Sequence, residues 1–178
     1  DEKNRKILAD GIMPQLEKLV DEMNYRYKTL AKEGVRNIDE YQAKGGEMKH
    51  IFVFVDEFGD LMMGAGKKTF TITTGEEYVR GNKKGQAKTK EITVDVAGDL
   101  KKCVIQLGQK ARACGIHLGF ATQRPSTKVI CGDIKANFPT RLAFRTSSEV
   151  DSRIIIDTSG AESLLGKGDL LYITQENS

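Results

Sequence analysis

The chain has 178 residues, 39% hydrophobic and 30% charged, with 28 basic against 25 acidic side chains and a formal net charge of +3. This suits one soluble globular domain or part of one; the charge balance argues nothing about nucleic acid, and no apolar run of about 18 residues is present to span a membrane. Three cysteines (Cys103, Cys114, Cys131) form no Cys-x-x-Cys pair and are odd in number, which favours a reducing compartment over a disulfide framework, and the isolated His50 and His117 give no expectation of a zinc site.

Residues 1–32 read as mostly helical. Leu16, Leu19, Val20, Met23 and Tyr27 recur at helical spacing, Pro14 is expected to separate two segments, and Gly34 ends the second. The opening residues, 1–6, are not followed by a signal-peptide core. Asn37 or Asp39 starts a short helix reaching Ala43, and Gly45-Gly46 leads into Ile51-Phe52-Val53-Phe54-Val55-Asp56-Glu57. Five apolar residues ending in two carboxylates predict a strand buried on both faces that delivers two acids to its C-terminal edge. This is the pattern of the Walker B element. There the first acid orders Mg²⁺, a hard cation that keeps most of its waters and needs few protein ligands, and the second polarises a water. The pattern is short and gains force only beside a phosphate-binding loop: Gly, four residues, Gly, Lys, then Ser or Thr. No such loop occurs. The nearest stretch, Gly64-Ala65-Gly66-Lys67-Lys68-Thr69, has the wrong spacing and reads as a turn.

Phe70–Thr73 and 91–96 both alternate, and read as the strands of a hairpin. Between them Arg80, Lys83, Lys84, Lys88 and Lys90 make a basic stretch that is either a solvated excursion or a finger for DNA phosphates or a neighbouring subunit. A helix follows over residues 99–113, stopped by Gly115. A second strand, 116–121, runs into Thr122-Gln123-Arg124-Pro125. Gln123 has the reach to address a γ-phosphate or its water, and Pro125 stiffens the exit beside Arg124. Further strands are expected at 141–144 and 170–173. Strands alternating with helices predict an α/β fold with a mainly parallel sheet and helices on both faces.

Several blocks carry a resemblance. They include Glu22-Met23 with Arg26-Tyr27, residues 34–38, Val55-Asp56-Glu57 through Asp60–Met63, residues 109–113, and Gly115-Ile116-His117-Leu118. The others are residues 121–126, Lys135-Ala136-Asn137, Pro139-Thr140-Arg141, Asp151-Ser152-Arg153 and residues 160–169. In this order they cover most of residues 22–172 and resemble the motor domain of the FtsK/SpoIIIE family of double-stranded DNA translocases.

The resemblance implies a RecA-like ATPase core that assembles as a homo-oligomer, a hexameric ring around duplex DNA, with ATP between subunits. By motif, Asp56 would be the Mg²⁺-associated acid, Glu57 the catalytic acid and Gln123 the γ-phosphate sensor that also touches the nucleotide. Arg112 would reach into the neighbouring subunit's site, and Arg124 and Arg153 would hold DNA phosphates in the pore. Residues 1–178 would then be a partial motor core that lacks the phosphate-loop half and is inactive alone. Residues 69–98 would be a basic β-hairpin insertion, extra to the family pattern. A further departure is Glu149, where the family usually carries a lysine; it puts the grip of this loop on DNA in doubt, and the hairpin lysines are candidates to compensate. Chromosome segregation at division or sporulation is the implied role. The implied localisation is cytoplasmic, without membrane contact from this segment; any inner-membrane anchor would lie in separate N-terminal segments. A non-catalytic DNA- or partner-binding module and a related secretion or conjugation ATPase remain the alternatives.

Overall fold

A computed structural model describes residues 11–77 and 86–174. The expected helix before residue 11 and the basic residues Arg80, Lys83 and Lys84 lie outside the described residues.

Helix α1, Ile12–Lys32, is continuous. Pro14 falls in its first turn, where a missing N–H costs nothing, and the segment this proline was expected to separate from it lies outside the described residues. The apolar stripe of α1 buries Leu16, Met23 and Leu30. Asn37 caps α2, Ile38–Ala43, by accepting from the Glu40 amide. The acid-bearing strand is β1, Ile51–Val55, followed by α3, Phe58–Gly64. Strands β2, Lys67–Glu77, and β3, Ala87–Asp95, pair antiparallel. The hairpin thus occupies 67–95, and residues 96–98 of the segment expected as insertion are already helical. Helix α4, Val96–Lys110, begins three residues before the sequence estimate, because the Asp95 carboxylate accepts from the Gly98 amide and caps it there. A 3₁₀ turn, Ala111–Cys114, carries the chain to Gly115 at φ 78°. At that glycine a Cβ would lie 2.3 Å from Ile38 Cδ1 as well as being strained.

Strand β4, Ile116–Phe120, pairs parallel with β1 in the register Ile51↔Ile116 to Val55↔Phe120. Val55, Ile116, Val104, Leu107 and Phe58 form the main core with the α1 stripe. The expected burial of β1 on both faces is corrected. Ile51, Val53 and Val55 face the core, whereas Phe52 and Phe54 are 64% and 81% exposed, since no described helix lies over that face. The parallel pairing is confined, among the described residues, to β1 and β4.

After α5, Gly132–Asn137, strands β5, Arg141–Phe144, and β6, Leu170–Ile173, form an antiparallel ribbon around α6, Glu149–Ile156. A turn of positive-φ residues, Gly166, Lys167 and Gly168, closed by the Asp169 amide donating to Gly166 O, leads into β6. A smaller core of Ala143, Ile156 and Ala161 holds this unit. Asp157 joins it to α5: its carboxylate accepts from Lys135 Nζ at 2.6 Å and Arg141 Nη2 at 2.7 Å. Lys135 first and Arg141 second hold that carboxyl below the usual range.

Candidate functional site

The parallel register decides where the acids stand. Beyond the last strand pair, Ala121 N–H donates to Val55 O and Phe58 N–H donates to Ala121 O. Asp56 and Glu57 therefore bulge out opposite a single residue of the neighbouring segment. Glu57 takes the left-handed conformation, φ 52° and ψ 47°, sparsely populated for a residue with a side chain. Its carboxylate lies against the segment leaving β4. Oε1 accepts from Thr122 Oγ1 at 2.9 Å and from Gln123 N at 3.2 Å, and Oε2 accepts from the same amide at 3.3 Å. Arg124 N–H donates back to Thr122 Oγ1 at 3.1 Å. The close approach requires Gly59, where a Cβ would stand 2.5 Å from Thr122 Oγ1. Asp56 Oδ1 accepts from the Glu57 amide at 2.9 Å, and the rest of that carboxylate is exposed.

Asp56, Glu57 and Asp60 line a cavity of about 480 Å³ whose walls are Leu61, Ala65, Val96, Leu100 and the start of α1. Arg124 Nη1 pairs with Asp60 Oδ1 at 3.3 Å. Among the described residues no group of three or more His, Cys, Asp or Glu side chains is arranged to enclose a metal ion. A single exposed carboxylate beside an open cleft nevertheless fits Mg²⁺, which is held through one or two carboxylates, waters and phosphates. Asp56, Glu57, Gln123 and Arg124 are thus brought together. The sequence reading gave no role to Thr122 or Asp60. The available signals were a hydroxyl directly before Gln123 and an acid one helical turn after Asp56.

Arg112 lies elsewhere. It is exposed on the 3₁₀ turn that feeds the start of β4, and so occupies the opposite edge of the sheet. Five strand residues at about 3.3 Å each put about 16 Å between the two edges. Arg112 borders a second cavity of about 560 Å³ with Tyr27, Asp39, Lys110, His50 and His117. The two imidazoles, which look isolated in the sequence, share a hydrogen bond of 3.0 Å between His50 Nδ1 and His117 Nε2. Burial, then His50 and Arg112, push His117 below its ordinary value, against a smaller opposing pull from Asp39. Above this edge, Arg26 is buried in α1 and its Nη1 donates to Lys49 O at 2.8 Å and Cys114 O at 3.0 Å. It pins the residues that precede β1 and β4.

Arg153 sits on α6, in the second unit. Both its Nε and Nη2 donate to Glu149 Oε1, at 2.9 and 2.6 Å. Glu149, the departure that put the grip of this loop on DNA in doubt, occupies this guanidinium.

An α/β core that carries paired acids beyond one of two parallel strands, with a polar segment from the other held against them, defines the RecA-like ATPase fold. Solved structures agree. The pCW3 conjugation coupling protein TcpA, described in its monomer form with ATPγS, superposes with a TM-score of 0.70 at 30% identity. That match covers 94% of this chain and 42% of TcpA. The cytoplasmic domain of the Thermomonospora curvata type VII secretion ATPase EccC shares the fold, with a TM-score of 0.68 at 18% identity over 100% of this chain and 18% of that one.

The FtsK/SpoIIIE family model matches residues 9–127, and the chain belongs to that family. It is 42% identical over 171 residues to the DNA translocase SftA of Bacillus subtilis, covering 93% of this chain and 15% of that protein. It is 44% identical over 168 residues to the DNA translocase FtsK of Streptococcus pneumoniae, covering 88% and 18%. The chain thus spans less than a fifth of the length of these relatives. Among the described residues no helix is long and apolar enough to cross a membrane.

Proposed function

We propose that these residues form the acid-bearing part of an ATP-driven motor that moves double-stranded DNA, used in chromosome segregation. The observation that carries this reading is the Glu57 carboxylate. It is fixed at the strand edge by Thr122 and the Gln123 amide, next to Asp56 and open to the same cleft. The relatives named as DNA translocases support the substrate.

In this reading Asp56 holds Mg²⁺ through water or directly, and Glu57 orients and polarises the water that attacks the terminal phosphate of ATP. The Gln123 side chain, exposed at the same edge, senses that phosphate. Hydrolysis also needs a phosphate loop, which these 178 residues do not contain. The chain alone is therefore expected to hydrolyse ATP negligibly.

Arg112 stands too far from Glu57 to serve it within one chain. That placement favours a homo-oligomeric ring, a hexamer in the family pattern, where the arginine of one copy offsets charge in the site of the next. Arg124 contacts duplex phosphates, which position DNA without reading its sequence. Arg153 does so only when released from Glu149. The hairpin is a surface insertion outside the engine.

The test is Glu57→Gln in the intact motor. DNA-stimulated hydrolysis should fall by at least about 10²-fold, and an unchanged rate removes Glu57 from this role. The TcpA match favours a conjugation motor as the second reading. Stimulation by single strands in preference to duplex DNA would select it.

A further inference from the structure

The second cavity, about 560 Å³ at the edge where β1 and β4 begin, has no part in the chemistry assigned to Asp56 and Glu57. Its charged and titratable lining is Tyr27, Asp39, His50, Lys110, Arg112 and His117. Tyr27 donates its hydroxyl to Lys110 O at 2.6 Å, which leaves Asp39 as the one carboxylate against Lys110, Arg112 and two imidazoles. The hydrogen bond of 3.0 Å between His50 Nδ1 and His117 Nε2 takes one nitrogen of each ring. Two neutral rings hold two protons. One lies in this bond, the other on the far nitrogen of the accepting ring, and the far nitrogen of the donating ring stays bare. A third proton therefore has a place, whichever ring donates. It leaves the bond intact and makes it charge-assisted, so the pair titrates as one unit. Phe52 lies over His117, with ring centroids 4.8 Å apart and planes 20° from parallel, and an aromatic face attracts the cation so formed.

We propose that the His50–His117 pair is a second trans element of the motor: it takes up a proton when the ATP phosphates of the neighbouring copy reach Arg112, and the charged pair then holds those phosphates beside the guanidinium. The inference rests on the reading of Arg112 as a group that serves the next copy's site. In the free chain the extra proton is disfavoured. Burial opposes it first, then a charged His50 and the Arg112 guanidinium, with only Asp39 in its favour. Phosphates bring negative charge into the same cavity and reverse that balance, because a nearby opposite charge favours the protonated ring. The proton enters from solvent with the phosphates and returns to solvent when they leave. The imidazoles thus supply a cation that is present only when an anion is, whereas a lysine in their place would repel Arg112 and Lys110 throughout the cycle.

The experiment uses the intact motor at saturating ATP and short duplex, with His50→Gln and His117→Gln, which keep hydrogen-bonding groups but cannot charge. The hydrolysis rate at about pH 6.5 is divided by that at about pH 8.5 within each protein, so a partial loss of folded material cancels. The wild-type ratio should approach about tenfold, the effect of one hydrogen bond to a charged group, and both variants should stay near one. A wild-type ratio near one, or a variant whose ratio matches the wild type, overturns the proposal. Calorimetry of ATPγS binding to the assembled ring, in two buffers of different ionisation heat, counts protons directly. Uptake should be smaller in both variants than in the wild type, and equal uptake also overturns the proposal. Mixing Arg112→Ala copies with Glu57→Gln copies separates the two levels. If the mixed rings recover hydrolysis while the pH ratio is flat, the histidine pair alone fails; if they recover none, the trans reading of Arg112 fails and the pair with it.

Discussion

Replacing Arg26 with methionine tests whether this guanidinium aligns the strand pair that carries the acids. The side chain is 5% exposed, and its Nη1 bridges Lys49 O and Cys114 O, the carbonyls just before β1 and β4. Methionine fills similar space but offers no donor, so both carbonyls lose their partner. A hydrogen bond from a charged donor contributes about 1.5–3 kcal/mol. Those two bonds and the Nε–Glu22 Oε1 ion pair at 2.7 Å, less the relief of no longer desolvating a guanidinium, leave a net loss of about 3 kcal/mol. For a domain of this size that corresponds to a Tm lower by about 6–12 °C. Denaturant unfolding of the purified chain, followed by circular dichroism, measures the loss directly. Arg26→Lys should fall between the two, since one ammonium can reach one carbonyl. A loss below about 1 kcal/mol for methionine would refute the idea that this residue clamps the register.

Two further outcomes are expected. Glu149→Lys should free Arg153 and add a cation, making the salt dependence of duplex binding steeper by about 0.9 per new phosphate contact. Fluorescence anisotropy at several salt concentrations reads this, and an unchanged slope would mean that Arg153 meets no phosphate. His117 titrates below the ordinary imidazole value of about 6.5 when folded. As pH falls below that value the unfolded chain takes up the proton first. The stability associated with the neutral ring is therefore complete above about 6.5 and is lost as pH drops towards the folded value. His117→Gln should flatten this acid limb in unfolding experiments between pH 7 and 5, and an identical limb in the variant would place the titration elsewhere.

The sequence made the acid strand, its neighbour and the loop after it legible because each is local. An apolar β-branched run ends in charge, and Gly115 and Asn37 mark a stop and a start whose backbone requirements few residues meet. Burial on the second face of β1 was not legible. Phe52 and Phe54 have the composition of an interior strand whether or not a covering layer is present. The direction of β6 escaped because it is set by the long connection through α6 and not by strand composition. The Thr122–Glu57 contact spans 65 residues, and only the parallel register reveals it.

The bare phenylalanines have a practical meaning for anyone handling this polypeptide. A hydrophobic flank left to water, beside two short strands whose outer rims have no hydrogen-bonded neighbour strand among the described residues, is adhesive. At high concentration the isolated polypeptide is expected to self-associate through that flank, so gel filtration would report this as well as any native assembly.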